Sequence, residues 1–344
     1  MKQLAITIIS ILTFICLILC GCKRSDITPD YGREVIESGS YPQAIKVGEF
    51  YYFIMPDSRP GHISLRKTDK IENLGAGEPI TVYKTTDSNM QHIWSPEIHH
   101  IKNKWYIYFE ADDGNTDNHH LYVLENISPD PTTGVWNLHG PILTNEDWNY
   151  GIHPSTFAIG DRRYLIWSGW EKRRTETETQ CIFIAEMENP WTLKSERVLI
   201  SRPEYEWERQ WINPDGTRSA YPIFVNENPE AYISPDKKTV IITYSASGIW
   251  TRYSTLGLLR ASTDSDILNP KSWKKSAEPV FVPREESPYS GSSNVCLLPS
   301  PDGKETLMLF QVKPNDRTIH SDHDRVLIKA ITWDGDTMPE FGSY

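Results

Sequence analysis

Five times along this 344-residue chain an apolar strand, a short polar turn and a strand heavy in aromatics follow one another, and that repeat limits the fold more than any other feature. The first copy runs from Ala44 to Phe53 with its turn at Gly48-Glu49, and the second from Ile98 to Phe109 with its turn at Lys102-Asn103-Lys104. Thr156 to Trp167, Ala231 to Tyr244 and Val295 to Phe310 are the others. Alternating apolar and polar residues with Gly, Asp or Asn at the turn mark hairpins. Another short strand follows each one: Ile63 to Arg66, His120 to Leu124, Ile182 to Ala185, Leu256 to Arg260 and Val326 to Ala330. Five units of three or four strands, roughly fifty to seventy residues apart, predict an all-β fold, a single-domain five-bladed β-propeller. The period excludes a helical solenoid, and no helical pattern alternates with the strands as a parallel α/β sheet would require.

Four of the five repeats begin with a proline pair: Tyr41-Pro42, Ser95-Pro96, His153-Pro154 and Asn228-Pro229. The fifth has Gly291-Ser292-Ser293-Asn294. Proline lacks the ladder donor and belongs at a strand's first position, and it is expected to hold the residue before it extended. The first strand of each blade lines the central axis of a propeller. Residues beside the prolines therefore converge at one mouth, which predicts a pocket of Tyr41, Trp94, Glu97, His153, Asn226, Glu227 and Ser293. The alternative is a ring of strand starts around an empty channel.

Val225 to Ala231 is the densest of these stretches, with two carboxylates and an amide just before a core strand. Such groups are costly to bury unless they face a cleft or find partners. A turn in which they cap backbone groups is the other reading. The long excursion from Ser201 to Tyr221 carries Trp207 and Trp211, and long loops in compact domains are usually functional. These aromatics are expected to wall a sugar subsite; packing the loop down is the alternative.

A formal charge of −11 without a basic run argues against nucleic acid. Twelve Trp and seventeen Tyr suit many strands and a cleft in which flat rings stack on sugars. At the N-terminus Lys2 precedes an apolar run from Leu4 to Leu19, too short and wrongly flanked for a membrane span, so residues 1–21 are expected to be a signal peptide. Its end, Leu19-Cys20-Gly21-Cys22, resembles a bacterial lipobox with Cys22 as the lipidated residue. An ordinary cleaved signal is the other reading. Residues 22–34 then form a polar tether and 35–344 the propeller, an exported lipoprotein of the cell envelope held to membrane by its acyl chains alone. Cys181 and Cys296 lie far apart in apolar strands and are expected to be buried free thiols.

His92 to His99, Val225 to Glu230, Tyr244 to Trp250, Leu256 to Leu259, Ser272 to Phe281 and Ser300 to Glu305 together resemble glycoside hydrolase family 43, nearest to its α-L-arabinofuranosidases. The resemblance implies a five-bladed propeller acting on arabinofuranosyl, xylosyl or galactosyl glycan ends, exo-acting, monomeric and usually inverting. The family's acid Glu falls on Glu227. Its general-base Asp falls on Tyr41 and its orienting Asp on His153. Trp94, Glu97, Asn226, Trp250, Trp207, Trp211, Ser293 and Arg325 are the implied substrate contacts. No cofactor is implied beyond a channel calcium, whose usual His is replaced by Ser293.

Inversion needs a protonated acid on the glycosidic oxygen and an ionised base holding water about 6.5–9.5 Å away. A phenol with a pKa near 10 is a poor base at neutral pH. His153 is expected either to act as the base or, if charged, to pair with Glu227 and lower the pKa the acid needs raised. Two readings follow: a glycosidase with a diverged site, or a carbohydrate-binding lipoprotein that has lost turnover.

Overall fold

The computed structural model describes residues 31–145, 149–173, 178–212, 218–315 and 324–344. The expected signal peptide, Cys22 and nearly all of the tether lie outside them. Five antiparallel blades follow in chain order. The first comprises Gln43–Val47, Phe50–Ile54, His62–Thr68 and Ile80–Lys84. Gln91–Ile101, Lys104–Asp112, His120–Asn126 and Asn137–Ile142 make the second. The third is Ile152–Ile159, Arg162–Gly169 and Glu178–Asn189 with Val198–Ser201 at its edge, and the fourth is Arg218–Ile233, Thr239–Ala246, Thr255–Ser262 and Lys274–Lys275. These two are tied by a short parallel pairing of Glu178 to Gln180 with Ile223 to Val225.

The fifth blade, Tyr289–Pro299, Thr306–Pro314 and Arg325–Asp334, takes its outer strand from the other end of the chain. Arg33–Ile36 pairs antiparallel with it, Arg33 opposite Ile328 and Ile36 opposite Val326. Arg33 and Glu34 thus belong to the propeller and not to the tether as expected. The ring is closed by joining the two ends of the domain in one sheet.

The blades pack because the middle strands are apolar on both faces. In Lys104–Asp112, Trp105, Ile107 and Phe109 pack against Tyr52, Ile54 and Leu65 of the first blade. Tyr106 and Tyr108, pointing the other way, pack with Leu165, Trp167 and Phe183 of the third. Each such side chain stabilises the fold by about 1.5–3 kcal/mol. Cys181 and Cys296 are buried free thiols.

The residues before the prolines differ from expectation. Tyr41, Ser95, His153, Asn228 and, at the fifth blade, Asn294 all have left-handed φ, from 39° to 53°. The strand register slips at Trp94/Glu97, Ile152/Ser155, Glu227/Glu230 and Ser293/Cys296. Proline's missing donor interrupts the ladder in the second, third and fourth blades, and in these and the fifth an extra left-handed residue forms a bulge, overriding the usual extended preference before proline. The bulge re-aims the side chains on either side of it. A non-glycine residue held so costs on the order of 1–3 kcal/mol, and such strain gathers at functional sites.

Candidate active site

At one mouth lies a cavity of about 820 Å³, lined among others by Tyr41, Trp94, His153, Glu227 and Trp250. That volume suits a small ligand. Tyr41, His153 and Glu227, brought from the first, third and fourth blades, share it because each stands at or beside the left-handed residue at its blade's entry.

Glu227 is 1% exposed, and its Oε1 accepts the Ile249 N–H at 2.8 Å. Burial pushes its pKa up to about 8, against the opposing pull of that hydrogen bond. It is a carboxylic acid at neutral pH. The loop supplying the bond also presents Trp250. Gly248 has φ +78°, and a Cβ there would meet Trp250 Cζ2 at 2.9 Å, so the approach requires glycine.

His153 is 2% exposed, with Nδ1 3.3 Å from the Asn228 N–H and 3.5 Å from Ser168 Oγ. Because the amide can only donate, Nδ1 is the acceptor and the ring proton sits on Nε2. Burial, then the neighbouring His119, drives its pKa down to about 3. The imidazole is neutral, and Nδ1 and Glu227 Oε2 stand 3.9 Å apart with the nitrogen turned to the backbone amide of Asn228.

Tyr41 donates its N–H to Gln311 Oε1 at 3.0 Å, and its ring lies 5.4 Å from that of His153. Asn294 Nδ2 shares the same amide oxygen at 2.6 Å, while Gln311 Nε2 donates to Asp324, which pairs with buried Lys313 at 2.7 Å. Burial, then the charges of Glu227, Glu110 and Asp324, holds the Tyr41 hydroxyl well above its ordinary pKa. A phenol so placed cannot inherit the work of an Asp base.

Six expected contacts lie elsewhere. Glu97, 5% exposed, lines a separate small polar space with Gln43, Ser95 and Glu230. Burial raises its pKa to about 8 and holds that of Glu230 well above the ordinary carboxyl value, with Ser155 Oγ donating to Glu230 at 3.0 Å. Asn226, next to Glu227 on one strand, faces the opposite way and bonds Glu208 and Ser201 at 3.0 and 2.8 Å. Ser293 is fully buried and does not line the cavity. Trp207 packs its loop down, with Nε1 on Ala277 O at 2.8 Å and its ring against Tyr205 and Tyr244. Trp211 is 44% exposed against Phe224. Arg325 pairs with Glu34 at 3.4 Å beside the closing strand.

A channel calcium is not matched by these residues. Ser293 offers one hydroxyl, and among the described residues no cluster of three His, Cys, Asp or Glu is arranged to hold an ion.

Two features escaped the sequence. Glu110, in the second blade's middle strand, is fully buried, with Oε1 3.9 Å from His153 Nε2 and its pKa raised to about 8 by burial. A lone Glu directly after the aromatic run Trp105 to Phe109 gives no signal. The cavity also contains His92, whose Nδ1 is 2.9 Å from both oxygens of buried Asp112. In the sequence His92 opens the run His92 to His99 that resembles the family, with no role attached to it.

The sequence profile of glycosyl hydrolases family 43 matches residues 33–339. An extracellular exo-α-(1→5)-L-arabinofuranosidase of Streptomyces avermitilis is 33% identical over 303 residues, 85% of this chain and 59% of that protein. Alpha-L-arabinofuranosidase 43 of Humicola insolens is 28% identical, over 93% of this chain and 65% of its own length. The chain thus spans about three fifths of the length of these curated relatives. The crystal structure of an α-L-arabinofuranosidase from Lactobacillus brevis superposes with a TM-score of 0.81 at 27% identity, covering 92% of this chain and 97% of that one.

Proposed function

The chain belongs to glycosyl hydrolases family 43, and from that premise we propose that it is an exo-acting glycosidase that removes arabinofuranosyl residues from glycan ends, with Glu227 as its acid. The observation that carries this reading is Glu227 itself: a buried carboxyl that burial keeps protonated to about pH 8, in a cavity with Trp94 and Trp250 on its wall. Such an acid protonates the departing glycosidic oxygen. Arabinofuranosyl is favoured over xylosyl or galactosyl because the relatives of greatest identity described above carry that activity in their names.

A binding protein on the same fold is the second reading. It is favoured by the two positions where the family resemblance places Asp residues. Tyr41 is too weak an acid to ionise and His153 too weak a base to hold a proton, since burial shifts both away from neutrality. Hydrolysis of arabino-oligosaccharides by the purified chain, beside a calorimetric titration with the same sugars, separates the two. Heat of binding without product supports the binder.

Export is supported by the extracellular location in the names of two Streptomyces relatives. Attachment through Cys22 is proposed, with the protein working as a monomer. A Cys22→Ser protein should leave the membrane fraction, and unchanged partition would rule the anchor out.

A further inference from the structure

We propose that His92, held by Asp112, is the group that takes the proton from the attacking water. The inference rests on the glycosidase reading above. His92 Nδ1 stands 2.9 Å from Asp112 Oδ1 and Oδ2. An ionised carboxylate only accepts, so Nδ1 carries the ring proton and Nε2 keeps its lone pair. The imidazole is 46% exposed in the cavity, whereas the Asp112 side chain is wholly buried. Asp112 is itself fixed, with Oδ1 accepting the Gly114 N–H at 2.8 Å and Oδ2 3.3 Å from His119 Nδ1. His119 Nδ1 lies 2.9 Å from Thr116 O and its Nε2 3.1 Å from His92 O, and its ring lies 4.2 Å from Trp94. A buried carboxylate behind an exposed imidazole fixes the tautomer and stabilises the imidazolium formed when a proton arrives.

The rest of the cavity leaves this role open. Asp57 is ionised, but Arg59 Nε and N–H occupy Oδ1, and Arg59 Nη2 and Ser64 Oγ occupy Oδ2. His153 Nδ1 is spent on Asn228, and its Nε2 is buried toward Glu110. His62 Nδ1 lies 2.8 Å from Pro60 O, a neutral carbonyl that stabilises an imidazolium less than a carboxylate does. His92 also has a left-handed φ of +44°, the strain expected of a residue placed for function. It comes from the second blade and Glu227 from the fourth, so the two reach the shared cavity from blades that are not neighbours.

In the step this implies, the water oxygen bonds to the anomeric carbon as one of its protons passes to His92 Nε2. The bond from that carbon to the glycosidic oxygen breaks, its electron pair going to the oxygen, which takes the Glu227 proton. The sugar is released with inverted configuration, and one proton exchanged through solvent restores His92 and Glu227.

His92→Gly is the decisive variant, since glycine accepts the left-handed φ without strain and leaves room for a small anion. With 4-nitrophenyl α-L-arabinofuranoside, kcat is expected to fall at least about 10²-fold with KM little changed. Added azide should restore turnover and give a glycosyl azide of inverted configuration. Asp112→Asn should also lower kcat, without azide rescue, because an imidazole in the wrong tautomer still fills the space. A folded His92→Gly protein within tenfold of an active wild type overturns the inference and leaves the glycosidase reading standing. Loss without azide rescue, or rescue in His62→Gly instead, overturns it too. A wild type that yields no product overturns both.

Discussion

Glu110 Oε1 stands 3.9 Å from His153 Nε2, on the far side of the imidazole from Glu227, and neither oxygen of Glu110 makes a well-formed hydrogen bond. The site is therefore built on a stack of buried groups that stay uncharged. Burial holds Glu110 and Glu227 protonated to about pH 8 and His153 deprotonated down to about 3.

Stability should consequently fall between about pH 6.5 and 8. Glu97, Glu110 and Glu227 are protonated in the fold over that window and ionised in the unfolded chain, so unfolding releases protons and becomes easier as pH rises. His99 and His153, depressed to about 3, lose their opposing effect once pH exceeds the ordinary histidine value. Each carboxyl contributes about 1 kcal/mol per pH unit. In Glu110→Gln the slope, read from urea melts at pH 6.5 and 8, should be shallower by that amount; equal slopes would refute the assignment.

The closing strand gives a second test. A chain beginning at Tyr31 should fold as the full chain does, whereas one beginning at Ser38 loses the ladder of Arg33–Ile36 on Arg325–Asp334. It also removes Val35 and Ile36 and so uncovers the core of the first and fifth blades on which they pack. A large drop in thermal midpoint is expected for the shorter chain. Matching midpoints would mean that the ring does not depend on this strand.

The Lys313–Asp324 pair, 2.7 Å apart with both side chains 2% exposed, gives a third. Asp324→Ala leaves a buried ammonium unpaired and frees Gln311, which holds the Tyr41 backbone. A loss of about 3–5 kcal/mol is expected in chemical denaturation, as when one partner of a buried pair is removed. A change under 1 kcal/mol would show that solvent reaches Lys313.

How much of this the sequence disclosed follows from where each signal lies. Hairpins such as Gln43–Val47 with Phe50–Ile54 were legible because apolar alternation and turn chemistry agree. The closing strand was not, since Arg33–Ile36 is four residues of mixed exposure whose partner is nearly three hundred residues away. The prolines point to the cavity that Tyr41, Trp94, His153 and Glu227 line, while Asn226, Glu97 and Ser293 lie outside its lining. A bulge turns one residue into the cavity and its neighbour out of it, and sequence spacing does not say which. Glu110 and Asp112 come from a middle strand, where no proline marks them.

The most direct test of the account is the product of the wild-type chain and of Glu227→Gln, followed by NMR, on an arabino-oligosaccharide and on 4-nitrophenyl α-L-arabinofuranoside. The wild type should release arabinose of inverted configuration from both, its rate on the oligosaccharide falling as pH rises through about 8 and Glu227 loses its proton. Glu227→Gln should lose about 10²-fold or more on the oligosaccharide and far less on the aryl glycoside, whose leaving group needs no proton. No product from the wild type, or equal losses on the two substrates, would contradict Glu227 as the acid of a glycosidase.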